Sequence, residues 1–405
     1  MDTITHGIAG ALIAKAAFRG QDMLGAKPMN RARIITWSLM LGAIFPDSDV
    51  FRDFFSHNDL LILTWHRSIT HSLLCLPIFS VLLAALTLRL ARWRKWDAPS
   101  FAALTAIYGV GILSHILLDL VTSFGTMIWS PAKWSRPAWD LIFIVDFTLS
   151  AILLVPQIAA WVYSKEEGLR RRALGSWLAF AAATVVVAFI AVSVNAALSL
   201  RAIFVAMVVL AAVFLLPRIR RWGLRWSLSS WNMAGLLAAL GYIGAAAVAQ
   251  HVALVRVDNF ASSLHLNVQS RGALPLPPSL WQWDGLVLTP RGVYELRMEL
   301  GGESSEVKAA NGDSTVDPSL SYRFYPDAAP NAYIEAARRL PEVGTVLWFA
   351  RFPVTRFHRE GSDAVVEFSD LRFPQMRPGR PSSFTYRVRL AADQTVLSQG
   401  WIKPK

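Results

Sequence analysis

The sequence predicts a mainly α-helical polytopic membrane protein of about eight membrane segments, followed by a C-terminal β-rich extracytoplasmic domain. Three observations predict this. Apolar residues make up 54% of the 405, charged residues only 17%, and mean hydropathy is +0.39. A soluble domain is normally about 25% charged. Second, long apolar runs recur through the first 255 residues and then stop. Third, the remaining residues form short alternating runs broken by Pro, Gly and Asp, the pattern of strands and turns.

A spanning helix needs about 20 mainly apolar residues. Ser68–Leu88, Phe101–Met127, Leu141–Tyr163, Ala173–Leu198, Ala202–Leu216 and Asn232–Leu254 meet or approach that length. Thr5–Phe18 and Ile34–Phe45 are shorter; the first must be tilted, re-entrant or buried among neighbours. Residues 1–255 therefore read as a transmembrane domain and 256–405 as a β-rich domain outside the cytoplasm. Within the latter, Tyr294–Leu300, Val346–Phe352, Ala364–Phe368 and Phe384–Leu390 read as strands and Asn331–Leu340 as a helix.

Orientation follows from where short loops carry Lys and Arg. Residues 1–255 hold 22 Lys/Arg against 12 Asp/Glu, and residues 256–405 hold 18 against 16, so most of the +12 charge lies in the apolar half. One class of alternate loops contains Arg19, Lys27, Arg31 and Arg33; Arg89, Arg92, Arg94 and Lys95; Lys165 and Arg170–Arg172; and Arg218, Arg220, Arg221 and Arg225. The other class holds Arg52, Arg67, Lys133, Arg136 and Arg201. The first class is expected in the cytoplasm, which places both termini and the tail outside. A pI near 10 also suits nucleic-acid binding, but no basic face interleaved with aromatics occurs outside these loops, so no nucleic-acid partner is expected. Cys75, the one cysteine, excludes a disulfide framework and reads as a small buried hydrophobe. The acidic start, Met1-Asp2-Thr3, does not read as a removable signal peptide.

Against this apolar background stand His6, Asp47, Asp49, His66, His71, His115 and Asp119, with Asp140 and Asp146 behind them. An ionisable group near the bilayer centre costs at least about 2.5 kcal/mol, so each is a functional candidate. Under the orientation above, all of them fall at the outer membrane face. His115 and Asp119 are four residues apart and share a helical face. Asp47 and Asp49 lie on one side of an extended stretch after Pro46 breaks the helix. Ser68 or Thr70 is placed to cap the amides where His66–His71 enters the next helix. Imidazole and carboxylate without thiolate suit a hard or borderline divalent ion, zinc or manganese above all, as one ion or two. Surplus carboxylates would orient the imidazoles. Asp140 and Asp146 read equally as ligands or as partners for Lys133 and Arg136. Asp53, His57 and Asp59 read as solvated loop residues. His251, His265 and His358 stand apart from the set.

The segments Met1-Asp2-Thr3-Ile4-Thr5-His6, Gly42-Ala43-Ile44-Phe45-Pro46-Asp47-Ser48-Asp49, His66-Arg67-Ser68-Ile69-Thr70-His71-Ser72 and Ser114-His115-Ile116-Leu117-Leu118-Asp119 resemble a known family. It is the membrane-bound metal-dependent hydrolases, whose best-known bacterial members are LexA-regulated inner-membrane proteins. The resemblance covers about the first 150 residues. It implies a bacterial cytoplasmic membrane and hydrolase chemistry, with His6, Asp47, Asp49, His66, His71, His115 and Asp119 at the motif positions.

The expected chemistry is a metal-activated water attacking an ester or phosphoester of a membrane lipid or lipid-linked substrate. Asp49 is the expected general base or bridging carboxylate, and Arg67 a phosphate clamp. The tail, without clustered ligands, reads as separable from the chemistry and as a site for an extracytoplasmic partner. Two rivals stand. A metal or proton transporter needs polar groups towards the opposite face, where the later spans offer only Asn195, Gln250 and His251. A non-enzymatic scaffold would hold its metal in a closed shell.

Overall fold

The computed structural model describes residues 1–18, 31–56, 59–193, 200–215, 226–277, 279–300, 321–373 and 384–402. Arg19, Lys27, His57, Asn195, Arg218, Arg220, Arg221 and Arg225 lie outside the described residues, as do the side chains of Asp53 and Arg201.

Each of the eight expected segments contains a helix: α1 (Thr3–Ala17), α2 (Arg31–Ile44), α4 (Leu76–Arg94), α5 (Phe101–Leu120), α6 (Phe147–Val162), α7 (Leu169–Ser193), α8 (Leu200–Phe214) and α9 (Leu228–Ser263). A four-residue helix, α3 (Leu61–Thr64), precedes α4. Among the described residues, five helices are long and apolar enough to cross a membrane: Arg31–Arg52, Leu76–Arg94, Phe101–Leu120, Leu169–Phe189 and Leu228–Ser263. Eight spans are therefore not established; α1, at 15 residues, is only about 22 Å long. α1 starts where Asp2 accepts the Thr5 amide at 2.9 Å, and α6 where Asp146 accepts the Leu149 amide at 2.9 Å.

Close packing of α1, α2 and α5 depends on glycine. A Cβ on Gly10 would stand 2.9 Å from the Leu39 carbonyl, and one on Gly111 would stand 2.7 Å from it. Both side chains would collide with α2 backbone, so small residues let three helices touch. That contact brings the start of α1 and the ends of α2 and α5 to one end of the bundle.

Two expectations about this region change. The backbone at Asp47 and Asp49 is not extended. Pro46 ends α2, and the chain continues as a 3-10 helix over Phe45–Phe55. At three residues per turn, Asp47 and Asp49 point to different sides. The segment Ser68–Leu88 is not one helix either: Ile69–His71 is a 3-10 turn and α4 begins at Leu76. Neither Ser68 nor Thr70 caps it. Ser68 Oγ meets Ser130 Oγ at 3.0 Å, and Thr70 Oγ1 turns to Asp49.

The last helix, α9, has 36 residues and is about 54 Å long, well beyond a hydrocarbon core of about 30 Å. It runs unbroken past residue 255, and its projecting end carries the first β-sheet. Ala253, Val257, Phe260 and Ala261 pack there against Trp283, Val287, Leu296 and Met298. That sheet is an antiparallel meander of β1 (Ser270–Leu276), β2 (Gln282–Thr289), β3 (Gly292–Glu299) and β4 (Ser321–Pro326). A second meander joins β5 (Pro353–Glu360), β6 (Asp363–Asp370), β7 (Thr385–Leu390) and β8 (Val396–Trp401). Between them lie α10 (Ala332–Arg338), capped by Asn331, and α11 (Pro341–Phe349). Val346–Phe352 is thus not a strand. Val343, Val346 and Phe349 recur every three residues and are buried on one helical face, with Pro341 in the first turn.

The second sheet and its helices share a core with Leu60, Leu63 and Phe124 of the membrane half. The tail therefore sits on the loops at the end of the bundle that carries the histidines.

Candidate metal centre

Four side chains from three places in the sequence converge. Asp47 comes from the 3-10 helix after α2, His71 from the turn before α4, and His115 and Asp119 from adjacent turns of α5. Their ligand atoms all lie within 4.8 Å of one another. His115 Nε2 is 3.0 Å from His71 Nε2, 3.4 Å from Asp47 Oδ1 and 3.4 Å from Asp119 Oδ2. His71 Nε2 is 3.6 Å from Asp47 Oδ1 and 3.3 Å from Asp119 Oδ2. A tetrahedral ion with ligand bonds of about 2.0–2.1 Å requires about 3.3–3.4 Å between ligand atoms. The five separations above scatter around that value, in a set whose members all lie within 4.8 Å.

The surrounding hydrogen bonds decide which atoms carry lone pairs. His115 Nδ1 lies 2.6 Å from the Ala43 carbonyl, which can only accept, so that nitrogen carries the proton and Nε2 is bare. His71 Nδ1 lies 3.0 Å from Thr70 Oγ1, whose hydroxyl donates to Asp49 Oδ2 at 3.2 Å; Nδ1 is then the donor, and His71 Nε2 is bare as well. Asp119 Oδ2 is buried without a hydrogen-bond partner. Four lone-pair atoms thus face one another inside the protein. A proton on one of them bridges one pair; an ion at their centre serves all four. The cluster could hold a metal ion, and each imidazole has the outer partner that such a site needs.

The other expected ligands stand around this set. His6 stacks on His115 with ring centroids 3.6 Å apart, and its Nε2 is 3.2 Å from Asp119 Oδ1. That oxygen also receives the Met1 amino group at 2.5 Å and Arg67 at 3.0 Å. With three nitrogens already on Asp119 Oδ1, a second ion beside it has no vacant oxygen there. Asp49 directs Oδ1 to His66 Nδ1 at 3.0 Å and Oδ2 to the Arg67 amide at 3.0 Å, so it braces the His66–His71 turn from outside the quartet. His66 is likewise outside the quartet, and its side chain is 18% exposed. Arg67, held at φ 61° and buried, binds Asp119 and the Thr122 hydroxyl, 3.1 Å away.

Asp140 and Asp146 belong elsewhere. Asp140 forms a two-pronged ion pair with Arg351 of the tail, both contacts at 2.9 Å. Asp146 Oδ2 accepts from Tyr242 at 2.8 Å and from Ser279 at 2.5 Å. Both fasten the tail to the bundle. His251 is exposed, and His358 pairs with Glu360 on the surface.

No pattern in the sequence marks Phe124. Its ring lies under the guanidinium carbons of Arg67, at 5.0 Å, and Arg136, at 4.9 Å, and 5.9 Å from the His66 ring. On its far side are Phe349, Phe373 and Phe384 of the tail. Arg136 donates to the carbonyls of Leu63 and His66, and burial, then the neighbouring Arg67 and Arg372, push its pKa down to about 9. It stays charged at neutral pH. Arg372 donates to the Ser123 carbonyl at 3.1 Å while paired with Asp370 at 2.7 Å. The tail is therefore in contact with the loop that follows Asp119, not set apart from it. An isolated aromatic after a helix carries no periodic signal, so only the fold could single out Phe124.

Residues 1–198 match the family model described as YdjM inner membrane protein. Together with the apolar helices, this match supports an inner-membrane location in bacteria. The description names a location and no reaction. No curated protein and no solved structure matches the chain.

Proposed function

We propose, from the likeness to an inner-membrane family and the four-ligand cluster, that this chain is a membrane-bound metal-dependent hydrolase. Its substrate is an ester or phosphoester of a lipid or lipid-linked molecule at the outer membrane face. The observation that carries the proposal is the convergence of His71 Nε2, His115 Nε2, Asp47 Oδ1 and Asp119 Oδ2 at ligand spacing. One divalent ion, zinc or manganese, fits that set. A bound ion supplies Lewis acidity and lowers the pKa of water from 15.7 towards about 7.

The chain's own groups divide the remaining work. Asp49 holds His66 through Nδ1 and leaves its Nε2 to take up and release a proton, and the partial exposure of His66 lets it exchange with solvent. His66, rather than Asp49, is then the general base. Arg67 and Thr122 fix Asp119 so that Oδ2 faces the imidazoles, which makes Arg67 a positioning residue more than a phosphate clamp. Exposed tryptophans support a spanning bundle. Trp37, Trp93, Trp161 and Trp226 flank the basic loops, and Trp129, Trp134, Trp139 and Trp281 ring the site end, as two interfacial belts would.

One observation favours a second reading. Four protein ligands complete a tetrahedron, as structural sites do. The metal would then brace a scaffold whose tail binds an extracytoplasmic partner. The experiment is metal analysis of the full chain in nanodiscs, followed by a panel of lipid and phosphoester substrates with wild type and His66→Gln. Bound metal with turnover that His66→Gln removes supports the hydrolase. Bound metal without turnover across the panel supports the scaffold.

A further inference from the structure

The metal centre has a covered side and an open side. The tail covers the loop after α5: Phe349 and Phe373 pack on Phe124, and Arg372 donates to the Ser123 carbonyl. Of the four converging side chains, His71, His115 and Asp119 are fully buried, and Asp47 alone retains exposure, at 8%. Exposed apolar side chains stand near Asp47 on the open side. In a 3-10 helix residues three apart are eclipsed, so Val50 stands directly beside Asp47 on the same face. Val50 is 40% exposed and the next residue, Phe51, 66%. Across from them Thr3 donates to Asp47 Oδ2 at 2.6 Å, and its neighbour Ile4 is 75% exposed. Ile4 stands in the first turn of α1 and Val50 near the end of the apolar stretch Arg31–Arg52, where exposed apolar side chains suit contact with lipid.

We propose that Ile4 and Val50 are the lips of a lateral opening to the lipid leaflet at the site end, and that the metal centre takes a phospholipid-like amphiphile through it. This rests on the metal-centre reading given above. Acyl chains lie along Ile4, Val50 and Phe51, where the side chains are apolar and exposed. The polar head then reaches Asp47, the quartet member left accessible, past the Thr3 hydroxyl. An amphiphile meets this margin with its chains, whereas a water-soluble substrate entering beside Asp47 has to pass over it.

The test uses the full chain with Cys75→Ala, spin-labelled singly at Ile4→Cys or Val50→Cys, in vesicles of phosphatidylethanolamine and phosphatidylglycerol. Both positions are exposed, so the label does not disturb a core. Collision with oxygen, which concentrates in lipid, is compared with collision with a water-soluble nickel chelate, and Ser398→Cys on the exposed β8 serves as the aqueous reference. The expected result is oxygen collision exceeding nickel collision at both lips, reversed at 398, with Mn2+ broadening the label at 50. Nickel collision dominating at 50 would show that the opening faces water and overturn the proposal. A label at 50 that reports lipid in a protein that binds no Mn2+ would instead sink the metal-centre reading and leave the lipid contact standing.

Discussion

Replacing Asp119 by Asn tests the centre of the site with little change of shape. Structural zinc sites with four ligands contribute about 10–16 kcal/mol, or roughly 2.5–4 kcal/mol per ligand if shared evenly. At about 1.4 kcal/mol per tenfold, removing one anionic ligand should weaken binding by a factor on the order of 10²–10³. The change acts on both carboxylate oxygens. Asp119 Oδ2 has no hydrogen-bond partner and faces two bare imidazole nitrogens at 3.3 and 3.4 Å. An amide NH2 in that place donates to one of them, but the loss of charge leaves the buried Arg67 and Met1 amino group without their counter-ion, so the metal-free variant should be less stable than the metal-free parent. Metal widens the gap. At an ion concentration 100 times Kd the parent gains about 2.7 kcal/mol, and the variant gains almost nothing at the same concentration. The assay is metal per mole after dialysis against limiting zinc or manganese, with thermal unfolding in detergent measured with and without the ion. His251→Ala, on the exposed face of α9, is the control and should match wild type in both. If Asp119→Asn keeps one ion at wild-type affinity, the quartet is not the site.

Removing residues 264–405 should not leave the centre intact, because it uncovers Leu60, Leu63 and Phe124 and cuts the Arg372 contact with Ser123. The expected loss is at least about tenfold in metal affinity, the size of losing a supporting contact; a monodisperse truncation with wild-type metal content would restore a separable tail. Cysteine labelling of intact cells should mark Ser398→Cys from outside and leave Glu166→Cys unmarked, and the reverse pattern inverts the proposed orientation. In the first sheet Asp284 is buried beside Glu295, and burial first and that carboxylate second hold its pKa well above the ordinary 3.8. A raised carboxyl favours the fold below its unfolded value and loses that benefit as pH rises through its folded value. Asp284→Asn should therefore raise the unfolding temperature of the full chain at neutral and alkaline pH and change nothing below about pH 3.9; a lower unfolding temperature at pH 8 would contradict this.

Periodicity and apolar length made the helices legible, because an α-helix in lipid must be apolar along its length. They could not find where α4 begins. Leu73, Leu74 and Cys75 are as apolar as the helix that follows, yet the chain there is a turn whose Leu73 amide donates to the Ile128 carbonyl, 2.9 Å away. The α5 pair was legible for the same reason that helices are: four residues apart is one face. Asp47 and Asp49 were legible as site residues but not as a pair with different jobs, since that depends on a 3-10 backbone that Pro46 permits without requiring. His66 and His71 flank one loop, and no local rule says which of them turns inward. The choice follows from Asp49, which takes His66 Nδ1 on one oxygen and braces the His71 side through Thr70 with the other. Asp140 and Asp146 were ambiguous because their partners, Arg351, Tyr242 and Ser279, are far along the chain.

The four ligands are not equivalent, and the difference separates an enzyme from a scaffold. His71, His115 and Asp119 are fully buried, and each is held by a further contact: Thr70, the Ala43 carbonyl and Arg67 respectively. Asp47 stands 3.6 Å from His71 Nε2, farther than Asp119 stands from either imidazole, and its other oxygen is held by Thr3 at 2.6 Å on the exposed side. Three firm ligands and one loose, accessible one resemble a centre that leaves a position open more than a closed structural shell. Asp47→Ala should therefore retain about one ion per chain at saturating metal, with affinity lower by a factor on the order of 10², since three-ligand sites remain competent. Its helices should form as before, because Asp47 caps no helix among the described residues. Cobalt substitution reads the outcome directly: the visible spectrum of the variant should respond to added phosphate, as an open position does. A variant that loses its metal and its fold together would mark Asp47 as part of a closed structural site, and the scaffold reading would replace the hydrolase.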